Sequence, residues 1–378
     1  MKKICLLLFL IIQLMSCTAC SGIDLNFEIE EPQDVPTEEP MEETEYIAIF
    51  GDIQYYTNPV YIHTYQHSVD WILNQARTGK RINCVLHTGD ITQHSNIDEW
   101  ECFHNATNDM ATEIPYFSII GDHDYKWEGS LINTRDSTHF NEYINFPLTR
   151  NKVLAYYEEG KMENVVIENY IHGSRFDLLM LEFGPRKEVV EWADDYVKAH
   201  PDIRFILMNH EYLEKGGGRR TNGLKCVARL RNTTYTTPEQ LWNNLVKCND
   251  NIRVVLCGHV GGLYALTVDT NDFGRSIPQI QHNIQSAEYR HDNWLMLWEF
   301  PAYSDSANVC IYNTLTGQFY NNKEILFKFK YRDPVKPVGL GEIRNVEERR
   351  KMYGINGIQT FGPQCGIMIS EEGKKVLK

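Results

Sequence analysis

The chain has 378 residues, with 51 Asp and Glu against 37 Lys and Arg, a formal charge of −14, 42% hydrophobic and 12% aromatic content. This composition excludes a disordered polymer and supplies enough apolar side chains for a large buried core. The acidic balance excludes nucleic acid as a bulk partner, because such proteins neutralise backbone phosphates with clustered Lys and Arg.

Lys2 and Lys3 precede a run from Ile4 to Met15 in which only Gln13 is polar, and the run stops at Ser16 and Cys17. Residues 1–16 read as a secretion signal whose apolar run is too short to span a bilayer. The stretch Leu14-Met15-Ser16-Cys17 resembles a bacterial lipobox, which implies cleavage before Cys17 and acylation of that cysteine; an ordinary signal cut nearer Cys20 is the alternative. Residues 17–45 then read as a tether, since Thr18 to Glu45 holds ten acidic residues, no basic ones, and Pro32, Pro36 and Pro40. Such a segment repels itself and cannot bury a core. The expected location is the cell envelope, by export and a lipid anchor in a membrane. Residues 46–378 keep 41 acids against 35 bases, a formal −6, so the remainder is only mildly acidic.

From Tyr46 onward one pattern recurs, a short apolar run that stops at a polar residue. Ile47 to Phe50 precede Gly51 and Asp52, Val85 and Leu86 precede His87, Gly89 and Asp90, and Tyr116 to Ile120 precede Gly121, Asp122, His123 and Asp124. Phe205 to Met208 precede Asn209 and His210, and Val254 to Cys257 precede Gly258 and His259. Such runs read as strands buried on both faces. Helical spacing lies between them: Ile62, Tyr65, Val69, Ile72, Leu73 and Ala76 up to Gly79, and a second stretch opened by Thr237, Pro238 and Glu239. Alternating strands and helices predict an α/β layered fold, in which ligands bind beyond the carboxyl ends of the strands. Asp52, Asp90, Asp122, His210 and His259 then converge on one crevice. One Gly-Asp after a strand is an ordinary turn, whereas five endings of metal-binding type in series point to a cation site. Mixed oxygen and imidazole ligands suit Mn, Fe or Zn, and Mg less well.

The order Asp52-x-Gln54, Gly89-Asp90, Gly121-Asp122-His123-Asp124, Asn209-His210 and Gly258-His259 resembles the calcineurin-like metallophosphoesterases, whose signature runs D-x-H, G-D, G-N-H-[DE], H, G-H-x-H. The resemblance covers roughly residues 46–300 and implies a metallophosphoesterase domain over 46–320. The implied fold is a four-layered α/β/β/α sandwich with a two-metal site at the strand ends. By this resemblance Asp90 bridges two metals, Asp122, His210 and His259 complete the second site, and Asp52 with the Gln54 carbonyl serves the first. His123 becomes the general acid and Asp124 its orienting partner. Gln54 and Gly261 stand where the family has histidines, and Asp122 where it has asparagine. Both lost histidines belong to the first metal, leaving oxygen ligands that favour hard ions and bind them more weakly. One firmly held divalent cation and a second, weaker one are therefore expected. The implied activity is hydrolysis of a small phosphorylated substrate. The alternative is a catalytically impaired surface lipoprotein that binds a phosphorylated or glycan ligand.

Several residues carry weaker expectations. Lys215, Gly216, Gly217, Gly218, Arg219 and Arg220 form either a cationic loop over a substrate phosphate or a solvated loop. Substrate choice is assigned to loops such as 126–150 and 213–236. Tyr55 and Tyr56 line the pocket or pack beside it, His94 is within reach of the site, and His87 points into the core. His172, His282 and His291 default to structural or surface roles. Gln281 to Gln285 are placed near the side that lacks its histidines. Cys84 and Cys257 read as buried thiols, while the even count of cysteines outside the signal and lipobox permits disulfides. The alternating runs Leu263–Val268, Ile277–Ile284, Trp294–Phe300 and Asn308–Tyr312 read as the second sheet. In the C-terminal extension, residues 321–378, Phe327, Phe329 and Tyr331 alternate as an edge strand and the Gly-rich remainder is expected to wrap the surface. No pattern specifies an oligomeric state.

Overall fold

The computed structural model describes residues 44–127, 135–222, 234–286 and 288–333, together with the backbone of four short strands between Met352 and Leu377. The signal, Cys17, most of the tether, Cys20, Cys226, Cys365 and parts of the loops 126–150 and 213–236 lie outside the described residues.

Two sheets carry the fold. In the first, β1 (Glu45–Phe50), β2 (Arg81–His87) and β3 (Tyr116–Ser118) run parallel. Antiparallel strands extend it on the other side: β12 (Trp294–Phe300) pairs with β1, β13 (Ser306–Asn313) with β12, and β14 (Gln318–Phe319) and β15 (Phe327–Lys330) with β13. In the second, β7 (Ser174–Leu181), β8 (Arg204–Asn209), β9 (Ile252–Cys257) and β11 (Ser276–His282) run parallel. β10 (Tyr264–Thr270) closes one edge, and β5 (Val165–Ile167) with β4 (Val153–Tyr156) the other, while β6 (Tyr170–Ile171) pairs with the start of β7.

Strand alternation builds four layers. Ile206 and Met208 of β8, and Val254 and Leu256 of β9, face the core shared with the first sheet. Phe205, Leu207, Val255 and Cys257 face the opposite way, onto Val189, Val190, Ala193 and Val197 of helix α3 (Lys187–Ala199). A strand apolar on both faces is the consequence of burial between two layers. On the outer side of the first sheet, α1 (Ile62–Arg77) buries Tyr65, Val69, Ile72 and Leu73, the i, i+4, i+7, i+8 stripe. α2 (Ile97–Ala111) starts at a capping box in which Asn96 accepts from Glu99 N and Glu99 closes back. Thr237 and Gln240 form the same box before the short helix Pro238–Leu241.

Two expectations need correction and one is met. The four alternating runs after Gly262 do not form one sheet: β10 and β11 join β9, whereas β12 and β13 join β1. Period-2 alternation reports which face is buried, not which neighbour supplies the hydrogen bonds. The expected edge strand is present at Phe327 and Phe329, since β15 pairs with β13 through Ala307 and Phe329. Finally, part of the C-terminal extension forms its own antiparallel sheet of β16 (Met352–Tyr353), β17 (Gln359–Thr360), β18 (Ile367–Ser370) and β19 (Lys375–Leu377). Among the described residues, Cys84, Cys102, Cys248, Cys257 and Cys310 are free thiols, Cys84 and Cys257 buried, and no helix is long and apolar enough to cross a membrane.

Candidate metal centre

The carboxyl ends of strands from both sheets deliver the site. Asp52 follows β1, Asp90 follows β2, Asp122 to Asp124 follow β3, His210 follows β8 and His259 follows β9. Asp52, Asp90, Asp122, His123, His210 and His259 are all buried. His210 Nε2 lies 3.2 Å from Asp90 Oδ1 and 3.6 Å from Asp122 Oδ1, and His259 Nδ1 lies 3.2 Å from Asp122 Oδ1 and 3.1 Å from His210 Nε2. Donor atoms of Asp52, Asp90, His210 and His259 lie within 4.8 Å of one another, as do those of Asp90, Asp122 and His123.

The glycines of each strand ending have a steric reason. A Cβ on Gly258 would meet Asp52 Oδ1 and Thr88 Oγ1 at 2.5 Å, and one on Gly121 would overlap the Asp90 backbone and carboxylate. The backbone itself is held in the left-handed region at Asp90, φ 54°, and His259, φ 67°. Such geometry costs roughly 1–3 kcal/mol per residue and persists where the surroundings enforce it.

Electrostatics favours a cation here. Burial pushes Asp52 up to about 6, with His210 pulling it down and Asp90 pushing it further up. Burial likewise pushes Asp124 up to about 7, reinforced by Asp90. For Asp122 burial opposes the charge but His259 and His210 outweigh it, holding the carboxyl well below its usual range. His210 is raised because Asp90 and Asp122 overcome its burial. Asp90 Oδ2 is enclosed and accepts no hydrogen bond, an arrangement that burial penalises unless a cation sits against it. Carboxylates crowded around two imidazoles, with an open carboxylate oxygen, fit a divalent transition-type ion.

A calcineurin-like phosphoesterase family profile matches residues 46–262, more than half of the chain. The chain belongs to that family. The protein named "Uncharacterized protein YvnB" of Bacillus subtilis (strain 168) is 26% identical over 277 residues, which are 70% of this chain and 19% of that protein. The chain therefore spans about a fifth of the length of this curated relative. Among solved structures, the purple acid phosphatase PPD1 of yellow lupin (Lupinus luteus) seeds aligns with a TM-score of 0.48 at 13% identity, covering 79% of this chain and 57% of that one. A 5'-nucleotidase precursor from Thermus thermophilus aligns with a TM-score of 0.41 at 13% identity, covering 68% and 51%.

Within this calcineurin-like frame, the contacts surrounding the cluster differ from expectation at several points. Asp124 does not hold the His123 ring. Its carboxylate accepts from Gly121 N at 2.9 Å and from Thr92 N at 3.0 Å, so it braces the loop, while His123 Nδ1 lies 2.7 Å from the Gln93 carbonyl. The short Gly121–Asp124 turn places the carboxylate over its own backbone, which is why it cannot reach the ring. His94 is exposed and pairs with Glu99 at 3.3 Å instead of turning into the site. His87 is buried between Phe50 and Tyr116 and is held well below its usual range by burial and by His210. Tyr56 is buried with its hydroxyl accepting from His291 N, and Tyr55 lies under the Arg290 guanidinium at 3.5 Å. His172 bridges to the Phe300 carbonyl, 2.7 Å away. In the loop Lys215–Arg220, Arg219 is committed to Glu239 and Asp269 and Arg220 to Glu214, so these two arginines tie the loop to neighbouring elements.

On the oxygen side, Gln54 Nε2 donates to Gln93 Oε1 at 2.9 Å and its buried Oε1 accepts no hydrogen bond. Of the stretch Gln281 to Gln285, Asn283 and Gln285 reach Asp52, whereas Gln281 donates to the Gly262 carbonyl. Sequence reasoning missed Thr88, Gln93 and Glu211. Glu211 Oε2 lies 3.5 Å from His259 Nε2, and its only signal in the chain is that it directly follows His210.

Proposed function

We propose that the chain is a metal-dependent phosphohydrolase that cleaves a phosphoester of a small substrate, with His123 as general acid. The placement of His123 carries this reading. Its backbone N donates to Asp90 Oδ1 at 3.0 Å, and its Nδ1, facing the Gln93 carbonyl, must carry the hydrogen of that contact. Nε2, 4.0 Å from Asp122 Oδ2, is thereby the atom that takes up and releases a proton at the face of the cluster. Asp90, Asp122, His210 and His259 would hold the firm cation, with Asp52 and Gln54 as oxygen neighbours; Mn, Fe or Zn suits this donor set and Mg suits it less. When bound, such an ion supplies an activated water and neutralises charge on the transferred group. Asp124 keeps the His123 loop in register, and Phe183 covers the His210 and His259 rings at 5.9 and 5.7 Å.

Hydrolysis of a chromogenic phosphomonoester and phosphodiester by Mn-loaded protein tests the reading. His123→Ala is expected to lower turnover by about 10²–10⁴-fold at unchanged metal content. Protein that takes up no metal and turns over neither ester overturns it. The binding-only alternative draws on Gln54 and Gly261, and it requires that the wild-type chain retain a phosphorylated or glycan ligand intact. We further propose that residues 1–16 are a signal, that Cys17 is acylated and that the acidic segment to residue 45 is a tether, placing the phosphoesterase domain at a membrane surface of the cell envelope.

A further inference from the structure

On the oxygen side the residues do not fit a cation. Asp52 Oδ2 accepts from Gln285 Nε2 at 2.9 Å, from Asn283 Nδ2 at 3.2 Å and from His259 N at 3.1 Å. Asp52 Oδ1 accepts from His259 N at 3.1 Å and from Thr88 Oγ1 at 3.5 Å. Gln285, Asn283 and His259 N thus direct hydrogens at this buried carboxylate, while the single Thr88 hydroxyl hydrogen is shared with the Phe50 and His282 carbonyls. The Gln285 amide orientation is dictated, because Nε2 lies 2.9 Å from Asp52 Oδ2 and 2.9 Å from the His259 carbonyl. Turned over, its oxygen would face two oxygens. The backbone that carries this amide is held as well, since Arg290 donates through Nε and a terminal nitrogen to the main-chain carbonyl of Gln285 at 3.2 and 3.0 Å while stacked on Tyr55.

Position 261 closes the other approach. Gly261 has φ 107°, and a Cβ there would meet Lys215 Cα at 3.0 Å. An imidazole cannot be carried from that backbone without moving the Lys215 loop. Gln54, for its part, spends its amide nitrogen on Gln93 and offers a single oxygen. With both Asp52 oxygens already accepting protein hydrogens, one free amide oxygen and one shared Asp90 oxygen remain on this side, too few ligands for a second resident ion.

We propose that the resting centre holds one divalent cation, on the imidazole side, and that the Gln285 amide occupies the place of a second by donating hydrogens to Asp52. This inference rests on the phosphoesterase reading above. A cation beside Asp52 Oδ2 would confront the hydrogens of the Gln285 amide, so the second ion is excluded by charge as well as by ligand number. Asp52 becomes an anchor that ties the β1 ending to the β9 ending through His259 N.

The test counts metal independently of turnover. Wild-type protein stripped with a chelator and reloaded with Mn²⁺ is expected to retain one equivalent after desalting and to give the six-line electron paramagnetic resonance spectrum of an isolated Mn²⁺ ion. Two retained equivalents, or the multiline spectrum of an exchange-coupled pair, overturn the proposal. Gln285→Glu replaces the donor by a carboxylate and is expected to raise retention to two equivalents; a folded variant that stays at one overturns the role of the amide. If that variant fails to fold, the wild-type spectrum decides alone. Retention of no metal at all overturns the phosphoesterase reading itself, a result distinct from two.

Discussion

At the scale of single residues, His282 shows how burial alone sets chemistry. It is fully buried at the end of β11, with Nδ1 2.9 Å from the Leu263 carbonyl, and burial pushes it down to about 4 against an ordinary value near 6.5. As the pH falls from 6.5 toward 4, the unfolded chain takes up a proton at this position before the folded one does. The stability contributed by neutral His282 is therefore present above 6.5 and lost through that window, at most about 3 kcal/mol. Denaturant midpoints of metal-free protein are expected to fall over this range, and His282→Asn should flatten the slope; equal slopes in the two proteins would contradict it. The residue identities that announce the cluster, Asp52, Asp90, Asp122, His210 and His259, were legible because each ends a strand. The partners of those residues were not. Gln93, Thr88 and Glu211 carry no motif, and the orienting contact of His123 went to a backbone carbonyl, which has no side-chain signature.

At the scale of elements, the site is as precise as the turns that follow the strands. Gly121→Ala would force a Cβ into the Asp90 backbone and carboxylate. Overpacking of this kind costs about 1–3 kcal/mol, and here the strain falls on a proposed ligand. The variant is expected to lower the melting temperature modestly and to weaken Mn²⁺ retention by at least about tenfold. Both are read from one preparation by thermal denaturation and elemental analysis. In the strands behind the site, Leu207→Ala would open a cavity between the second sheet and α3, where Leu207 is fully buried. Its expected cost is about 2–5 kcal/mol, measured by chemical denaturation. The apolar runs that became β1, β2, β8 and β9 were visible in the chain because burial on both faces leaves a continuous hydrophobic signature. The assignment of later strands to sheets was not, since β11 and β12 alternate alike yet end in different sheets.

At the scale of the whole molecule, the charge is divided unevenly along the chain. Residues 46–378 carry a formal −6 of the total −14, and the remaining −8 is the ten acids of Thr18 to Glu45 less the charges of Lys2 and Lys3. We expect the wild-type protein to sediment with membranes and Cys17→Ala to shift it into the soluble exported fraction, followed by fractionation and immunoblotting. Equal partitioning of both would rule out the anchor.

Strand-ending residues determined on their own an α/β pattern with Asp and His gathered at strand ends, and the motif order carried the resemblance to the calcineurin-like phosphoesterases that the family match bears out. That information is local: a buried strand and the residue that ends it are neighbours in sequence. Only the tertiary structure decided that Asp52 is held by Gln285 and Asn283, that Asp124 braces a loop, and that Arg219 and Arg220 are committed to acidic neighbours. The Asp52 contacts join residues far apart in the chain, Asp52 to Gln285 above all, and their geometry is settled by the packing of two sheets; the Asp124 and Arg220 contacts are shorter in sequence but turn on loop conformation, which no pattern along the chain specifies.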